Sequence, residues 1–197
     1  MQIWDKRYAG ESYAYGTQPN DFLLENAQTL PVGDTLCLGE GEGRNAVFLA
    51  GLGHRVTALD SSEVGLGKAR RLAADNDVRI DAIHADLAEY DIEPGRWDCI
   101  VAIFCHLPPD LRRKVHGQIA AAPRPGGRFI LEAYTPDQLA LGTGGPGNAA
   151  MMMDVASLRD ELGGLEFEIA REVVRDIREG EFHDGMGATV QLIARKG

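Results

Sequence analysis

The sequence predicts a doubly wound α/β fold, in which helices cover both faces of a largely parallel sheet. Three observations support this prediction: short apolar runs alternate with helical stretches, a glycine-rich turn follows the first apolar run, and two β-rich runs close the chain. Parallel neighbours need a crossover connection, usually a helix, so strands and helices alternate along such a chain. The length of 197 residues fits one domain, and we expect residues 1–197 to form it.

Five apolar runs predict strands, and the stretches between them predict helices. The predicted strands are 35–38, 55–59, 80–84, 97–104 and 128–133. The predicted helices are 44–52, 63–74 and 111–121. Gly53 ends the first helix, and Pro123 and Pro125 stop the third, because proline breaks a helix interior.

The end of the chain departs from this alternation. The runs 167–177 and 188–194 are both rich in β-forming residues, and Gly180 and Gly185 lie between them. Such a pair predicts an antiparallel hairpin, which we place within 165–195 and expect to extend the parallel sheet. The stretch 142–147 is glycine-rich and predicts a surface loop. The longer stretch 138–153 around it serves either as a lid or as a plain connection.

Composition narrows the partners that we expect. The formal net charge is -10, and phosphate backbones are bound mainly by Lys and Arg, so nucleic acids and anionic membranes are poor candidates. The best basic run, Arg112-Arg113-Lys114, is typical of a solvated helix face. No apolar run approaches the roughly 20 residues of a membrane span, and the first residues lack a signal-peptide core. We therefore expect a cytoplasmic protein, monomeric or homodimeric, with a small-molecule partner.

The three cysteines, Cys37, Cys99 and Cys105, predict neither a disulfide framework nor a metal site. Their number is odd and they form no C-x-x-C pair. Cys37 and Cys99 fall inside apolar runs, which is typical of small buried side chains. No group of His, Cys, Asp and Glu has the spacing of metal ligands, so we expect no metal.

The strongest functional signal is the turn after the first strand, Leu38-Gly39-Glu40-Gly41-Glu42-Gly43-Arg44-Asn45-Ala46. Glycines let the backbone turn sharply and approach a ligand, and the helix that follows points its free N–H groups at the same place. Asp60 ends the second strand and Asp86 follows the third. Both belong at the carboxyl edge of the sheet, where open α/β sheets bind their ligands.

Together these features resemble the class I methyltransferases that use S-adenosylmethionine and release S-adenosylhomocysteine. A narrower resemblance to tellurite-resistance and thiopurine-type methyltransferases rests on Trp4–Tyr8, on Tyr13–Asn20 and on the glycine-rich turn. The resemblance implies a Rossmann-like seven-stranded sheet in the order 3-2-1-4-5-7-6, with strand 7 antiparallel. It also implies that residues 1–22 fold over the site as a lid, with Tyr8, Tyr13 and Tyr15 facing it.

The resemblance implies which residues hold the cofactor. The glycine-rich turn would pass close to the methionine part, Asp60 would bind the ribose, and Asp86 with Leu87 would contact the adenine. The predicted cofactor contacts are Gly39, Glu40, Gly41, Gly43, Asp60, Ser61, Asp86, Leu87 and Phe104. Many class I enzymes carry an acidic residue where this chain has Cys37, and Glu40 is the candidate to take over its contact.

The chemistry of methyl transfer sets what else the site needs. The methyl group on a sulfonium is already activated, so the protein mostly supplies alignment and exclusion of water. A general base is needed only when the acceptor is a protonated, weak nucleophile. His106 is the one evident base candidate at the end of the fourth strand. A structural role for this residue is the alternative. The resemblance, the acidic net charge and the lack of a clear base together lead us to expect a small, soft or already anionic acceptor, with sulfur, selenium or tellurium as its nucleophile.

Two other functions remain open at this point. Gly41-Glu42-Gly43-Arg44-Asn45-Ala46 also fits G-x-G-x-x-A, a dinucleotide fingerprint, so a nicotinamide-dependent oxidoreductase is an alternative. Asp60 comes early for that motif, and the chain has no Tyr-x-x-x-Lys. A non-catalytic nucleoside-binding module is the second alternative. His183 and Asp184 lie in the predicted hairpin turn, where a turn role for Asp184-Gly185 is favoured over contact with the substrate.

Overall fold

A mixed sheet of seven strands forms the centre of the computed structural model, which describes residues 3–197. The strands are β1 (Asp34–Leu38), β2 (Arg55–Asp60), β3 (Ile80–His84), β4 (Trp97–Ile103), β5 (Pro123–Tyr134), β6 (Leu165–Arg178) and β7 (Asp184–Lys196). Their order across the sheet is β3-β2-β1-β4-β5-β7-β6. The first five strands pair in parallel, and β7 is antiparallel to both β5 and β6. The predicted fold class and strand order are therefore confirmed.

Seven α-helices connect or flank the strands. They are α1 (Ile3–Tyr8), α2 (Asp21–Asn26), α3 (Arg44–Gly51), α4 (Glu63–Asp75), α5 (Pro109–Ala121), α6 (Gln138–Leu141) and α7 (Val155–Glu161). Local chemistry explains where two of them begin. The Ser62 side chain accepts a hydrogen bond from the Gly65 N–H at the start of α4, and Asp154 with Ser157 forms a capping box at α7. Within residues 3–197, no helix combines the length and apolar character needed to cross a bilayer.

The central strands β1 and β4 are buried on both faces, as the apolar runs predict. Leu36 and Leu38 of β1 pack with Val115 and Ile119 of α5 on one face, while Cys37 packs with the α3 side on the other. Alternate residues of a strand point to opposite faces, so a strand buried on both sides must be apolar throughout. Burying each large aliphatic side chain contributes roughly 1.5–3 kcal/mol.

Several predicted boundaries are wrong, and each has a local cause. β4 ends at Ile103 because Phe104 has a φ of 52°, which takes the backbone out of the extended conformation. β5 begins at Pro123 rather than at residue 128, since proline is tolerated as the first residue of a strand. The predictions also missed α6 and α7, which have four and seven residues and show too few turns for a helical periodicity.

The interpretation of Arg112 as part of a solvated helix face is wrong. Its side chain is buried, donates hydrogen bonds to the carbonyl oxygens of Ala150 and Met152, and pairs with Glu161 at 2.9 Å. A guanidinium presents five donors in a fixed fork, so a single side chain can hold two carbonyls and a carboxylate together. Arg113 beside it is exposed, as predicted.

Candidate functional site

A cavity of about 550 Å³ lies at the carboxyl edge of the parallel strands. Its volume is within the range of small-molecule sites. The segments that follow β1, β2, β3 and β4 form its floor, and α1 and the β6–β7 turn close over it. This is the edge where the sequence predicted a ligand.

Most of the predicted cofactor contacts lie together around this cavity. Of the predicted contacts, those that line the cavity are Gly39, Glu40, Asp60, Ser61, Asp86, Leu87 and Phe104. Gly41 and Gly43 are not among the lining residues. A Cβ at Gly41 would lie 2.5 Å from the Tyr8 hydroxyl oxygen, so the ring of Tyr8 covers this part of the turn.

Close approach explains the other two glycines of the turn. A Cβ at Gly39 would lie 2.8 Å from the Cys105 Sγ, which brings the end of β1 against the end of β4. A Cβ at Gly43 would lie 2.5 Å from the Cβ of Ala69, so glycine lets the start of α3 pack on α4. Gly39 and Gly43 have φ values of 60° and 90°, which glycine adopts without a steric penalty.

Asp60 joins the end of β2 to the glycine-rich turn. Its Oδ2 accepts a hydrogen bond from the Gly41 N–H and its Oδ1 accepts one from the Ser62 N–H, both at 2.8 Å. Burial raises the pKa of this carboxyl, while the backbone N–H groups act in the opposite direction. Each carboxylate oxygen can accept a second hydrogen bond, so Asp60 keeps capacity for a ligand hydroxyl in the cavity.

Glu40 and Glu42 have different surroundings, although both lie in the turn. The Glu40 Oε1 accepts a hydrogen bond from the Ala46 N–H at 2.7 Å, and burial raises the pKa of this carboxyl to about 7. Glu42 is buried and pairs with Lys68 at 2.7 Å. Cys37 is fully buried and does not line the cavity. Glu40 is therefore the carboxyl of the turn without a basic partner in the described chain.

The structure gives His106 no free ring nitrogen. Its Nε2 accepts a hydrogen bond from the Tyr134 N–H at 3.0 Å, and its Nδ1 lies 3.1 Å from the Phe104 carbonyl oxygen. This pair of contacts fits a neutral ring with the proton on Nδ1. Burial lowers the pKa of His106 to about 4. The catalytic role of His106 stays a prediction, and these contacts favour a structural role.

The N-terminal segment covers the site, and two hydrogen bonds attach it to different walls. The Ala14 N–H donates to Glu42 of the glycine-rich turn at 2.7 Å. The Glu181 N–H of the β6–β7 turn donates to the Ala14 carbonyl at 3.0 Å. Tyr8 and Tyr15 line the cavity, whereas Tyr13 does not and donates instead to the Lys68 carbonyl. Residues 1 and 2 of the predicted lid lie outside the described residues.

Sequence reasoning gave little weight to His183, which the structure places in the cavity wall. Only 7% of the residue is exposed, and its ring lies 4.5 Å from Phe104 and 4.6 Å from Tyr15 between ring centroids. Its Nδ1 has no hydrogen-bond partner in the described chain. Burial lowers the pKa of His183 to about 3, so the ring is neutral. The one sequence signal for it was its position in a turn between strands.

Arg7 and Arg44 also line the cavity, and the sequence analysis did not predict them as site residues. Arg44 is buried and pairs with Glu179 at 2.5 Å. Glu179 in turn accepts hydrogen bonds from Asn20 and Arg175, which continues a polar network into β6. No pattern of residue types in the sequence predicts this network, because its members are far apart in sequence.

A family model described as a methyltransferase domain matches residues 35–127. A demethylmenaquinone methyltransferase of Clavibacter sepedonicus is 31% identical over 123 residues, covering 59% of this chain and 50% of that protein. The chain thus spans about half the length of this curated relative.

Solved structures extend the likeness to nearly the whole chain. A structure from work on the conversion of a disulfide bond into a thioacetal group during echinomycin biosynthesis has a TM-score of 0.80 at 20% identity, covering 98% of this chain and 90% of that one. TehB from Haemophilus influenzae has a TM-score of 0.75 at 18% identity, with 98% and 66% covered. Magnesium protoporphyrin IX methyltransferase from Synechocystis, with bound SAH, has a TM-score of 0.65 at 22% identity, with 88% and 78% covered. Residues 35–127 therefore match a methyltransferase domain, and the solved structures share the fold of nearly the whole chain.

Proposed function

We propose that this protein transfers a methyl group from S-adenosylmethionine to a small-molecule nucleophile. The observation that carries the proposal is the bridge from Asp60 to the Gly41 N–H on the floor of the cavity. It holds a carboxylate at the end of β2 beside a glycine-rich turn, as nucleoside-binding α/β sheets require. The methyltransferase-domain match over residues 35–127 supports the same reaction.

The lining residues fit the chemistry of this cofactor. S-adenosylmethionine carries an α-ammonium and an α-carboxylate group, a sulfonium, a ribose diol and an adenine. Glu40 and Asp60 supply carboxylates that suit the cation and the diol, and Leu87 and Phe104 supply apolar surface for the base. Bound here, the cofactor would supply an activated methyl group.

The chain's own residues then align the partners and exclude water. Tyr8 covers the glycine-rich turn. On the other side of the cavity, Tyr15 packs against Phe182 of the β6–β7 turn. The bond from the acceptor to the methyl carbon forms as the bond from sulfur to that carbon breaks, and S-adenosylhomocysteine leaves. Holding the two reactants in line in a closed site supplies most of the rate enhancement.

We propose that the acceptor atom is soft sulfur, selenium or tellurium, because neither histidine of the cavity wall is suited to take a proton from an oxygen. The pKa of His106 is lowered to about 4 and that of His183 to about 3, both by burial. Burial raises the pKa of the Cys105 thiol to about 12, so it is not an anion at neutral pH. Soft nucleophiles ionise or react without help, and a base adds little to their transfer.

Calorimetric titration with S-adenosylmethionine and S-adenosylhomocysteine tests the cofactor, with NAD and NADP as controls. We expect micromolar binding of the two adenosyl compounds and a roughly ten- to hundredfold loss in D60N, since a charged hydrogen-bond acceptor is lost. D81N is the matched control, because Asp81 is an exposed aspartate of β3. Preferential binding of NAD would favour an oxidoreductase and contradict the proposal.

An acceptor screen then tests the chemistry. Thiols, selenols and telluride are expected to be methylated, and phenols and a demethylated quinol are expected to be poor acceptors. Equal or faster methylation of the quinol would contradict the soft acceptor while leaving the cofactor proposal intact. Tight cofactor binding without turnover on any acceptor would favour a non-catalytic module.

We further propose that residues 1–197 act as a single domain in the cytoplasm, with 1–22 as the lid. The acidic net charge of -10 supports a small-molecule partner over nucleic acid. Light scattering during gel filtration, with and without duplex DNA, distinguishes monomer from homodimer and detects any complex. Co-elution with DNA at physiological salt would contradict this part of the proposal.

A further inference from the structure

The parallel pairing of β4 with β5 is interrupted at the cavity. Ile103 lies opposite Glu132, and the Phe104 N–H still donates to the Glu132 carbonyl oxygen at 2.7 Å. In a parallel ladder the next hydrogen bond would run from the Tyr134 N–H to the Phe104 carbonyl oxygen. These two groups instead contact the two ring nitrogens of His106, at 3.0 Å and 3.1 Å. One imidazole ring thus takes the place of one hydrogen bond of the ladder.

Phe104 has a backbone conformation that needs support from its surroundings. Its φ of 52° lies in the left-handed region, and in the described chain the other non-glycine residue with a positive φ is Asp77. Aspartate tolerates this region because its side chain is short and polar, whereas a bulky aromatic residue there is an outlier. Such strain persists only where neighbouring contacts enforce it, and it is concentrated at functional sites.

Contacts to the backbone and to the ring of Phe104 enforce this conformation. Its carbonyl oxygen accepts a hydrogen bond from the His106 N–H and lies near the His106 Nδ1, both at 3.1 Å. Its ring centroid lies 4.7 Å from that of Tyr134 and 4.5 Å from that of His183. The His106 ring also stacks on Tyr134, with an interplanar angle of 13°. His106 therefore fixes both the backbone of Phe104 and the end of β5 on which its ring packs.

The bridge requires a neutral His106 ring with its proton on Nδ1. Nδ1 then donates to the Phe104 carbonyl oxygen, and Nε2 keeps the lone pair that accepts from the Tyr134 N–H. Burial lowers the pKa of His106 to about 4, which keeps the ring neutral near pH 7. Because the lone pair of Nε2 is occupied, this ring has no site left to take a proton from an acceptor.

We propose that His106 is a positioning residue, whose bridge between β4 and β5 holds the Phe104 ring at the cavity wall where the two reactants align. This inference rests on the proposed function and deepens it. The chain changes direction at Phe104, which ends β4 and brings Cys105 against Gly39 of the glycine-rich turn. Without the bridge, both the ring and this contact shift. A displacement of about 1 Å at a reacting site can lower a rate roughly a hundredfold.

Kinetics of H106F, H106N and H106Q separate the bridge from a base. Phenylalanine keeps an aromatic ring without nitrogens, whereas the two amides carry one donor and one acceptor and cannot take a proton. With thiophenol as the acceptor, we expect H106F to lower kcat roughly ten- to hundredfold. The better of the two amide variants is expected to regain at least about threefold of this loss, because its amide can replace part of the bridge. The Kd for S-adenosylhomocysteine is expected to rise less than about fivefold in each variant, because the Phe104 ring stays in the wall.

H54F is the matched control for the loss of a buried histidine. His54 precedes β2 and does not line the cavity, and its Nδ1 lies 2.7 Å from the Thr35 Oγ1. We expect H54F to keep kcat within about twofold of wild type, although its stability to urea falls. Wild-type kcat in H106F, or equal losses in H106F and both amide variants, would overturn the positioning role. A loss in H54F equal to that in H106F would show a general effect of stability and would overturn it as well.

The tautomer of His106 gives a readout that needs neither turnover nor a variant at the site. Nuclear magnetic resonance of the ligand-free protein with isotopically labelled histidine distinguishes the two ring nitrogens. At pH 7 we expect the His106 signals, assigned from their absence in H106Q, to show a proton on Nδ1 and none on Nε2. A proton on Nε2 would refute the bridge and leave the cofactor proposal intact. Failure to bind S-adenosylhomocysteine with the expected tautomer present would instead refute the proposed function, so the two failures are distinguishable.

Discussion

At the scale of single residues, the pKa of one carboxyl in the glycine-rich turn makes stability depend on pH. Burial raises the pKa of Glu40 to about 7, although the backbone N–H groups of Ala46 and Asn45 and the charge of Arg44 act in the opposite direction. A free glutamate has a pKa of about 4.3. Above pH 7 the folded protein therefore holds a buried charge that the unfolded chain hydrates without cost.

This linkage predicts that E40Q stabilises the ligand-free protein at alkaline pH. Because the folded pKa is raised, wild type loses stability relative to E40Q as the pH rises from about 4.5 to about 7. We expect an advantage of roughly 1–3 kcal/mol for E40Q at pH 8 that disappears below pH 5. Urea unfolding at both pH values measures it. E63Q, at an exposed glutamate of α4, is the control, and an E40Q advantage that does not depend on pH would contradict the prediction.

At the scale of elements, the last three strands are joined to the N-terminal segment through Glu132. This residue of β5 is 0% exposed, and its oxygens accept hydrogen bonds from Arg175 of β6 and from Thr189 and Gln191 of β7. Asn20, just before α2, donates to the same carboxylate at 2.6 Å. A buried carboxylate so completely paired fixes the relative positions of all these segments.

The network predicts a large and specific stability loss for E132A. Removing the carboxylate leaves Arg175 and three polar side chains without their shared acceptor, which costs roughly 3–5 kcal/mol for a buried ion pair. The matched control is E168A, which removes the partner of Arg128 at an exposed pair and should cost less than about 1 kcal/mol. Equal losses in the two variants, measured by urea unfolding, would contradict a special role for the network.

At the scale of the whole molecule, the regular part of the fold was predictable and the irregular part was not. The central strands β1 and β4 are largely apolar on both faces, so composition alone predicts them. The sheet order came from the resemblance, and the structure confirms it. The burial of Arg112 and the exposure of His183 to the cavity depend on segments distant in sequence, and no local pattern encodes such contacts.

The methyltransferase family prediction is confirmed over the matched domain, while the individual site residues stay predictions. Gly39, Asp60 and Leu87 line the cavity because each follows or ends a parallel strand, and this rule of the fold was available from the sequence. The contacts of Arg7 and His183 arise where α1 meets the β6–β7 turn. That meeting involves residues more than 150 positions apart, which periodicity does not reveal.

Cofactor binding is expected to stabilise the molecule as a whole. At a concentration of S-adenosylhomocysteine 100 times its Kd, the free energy of unfolding should rise by about 2.7 kcal/mol. For a chain of this size the melting temperature should increase by roughly 5–10 °C. Differential scanning fluorimetry measures the shift, and D60N at the same ligand concentration is the control. A comparable shift with NAD would contradict the assigned cofactor.

The position of Ile3 in the cavity lining has a practical consequence for handling the protein. An affinity tag fused ahead of this residue begins at the mouth of the cavity and competes with small molecules for the opening. The other terminus follows β7, whose last residues pair with the start of β6 and lie beside Arg128 near the start of β5, at the opposite edge of the sheet. Tags, surface immobilisation and fluorescent labels attached beside Lys196 therefore leave ligand entry undisturbed.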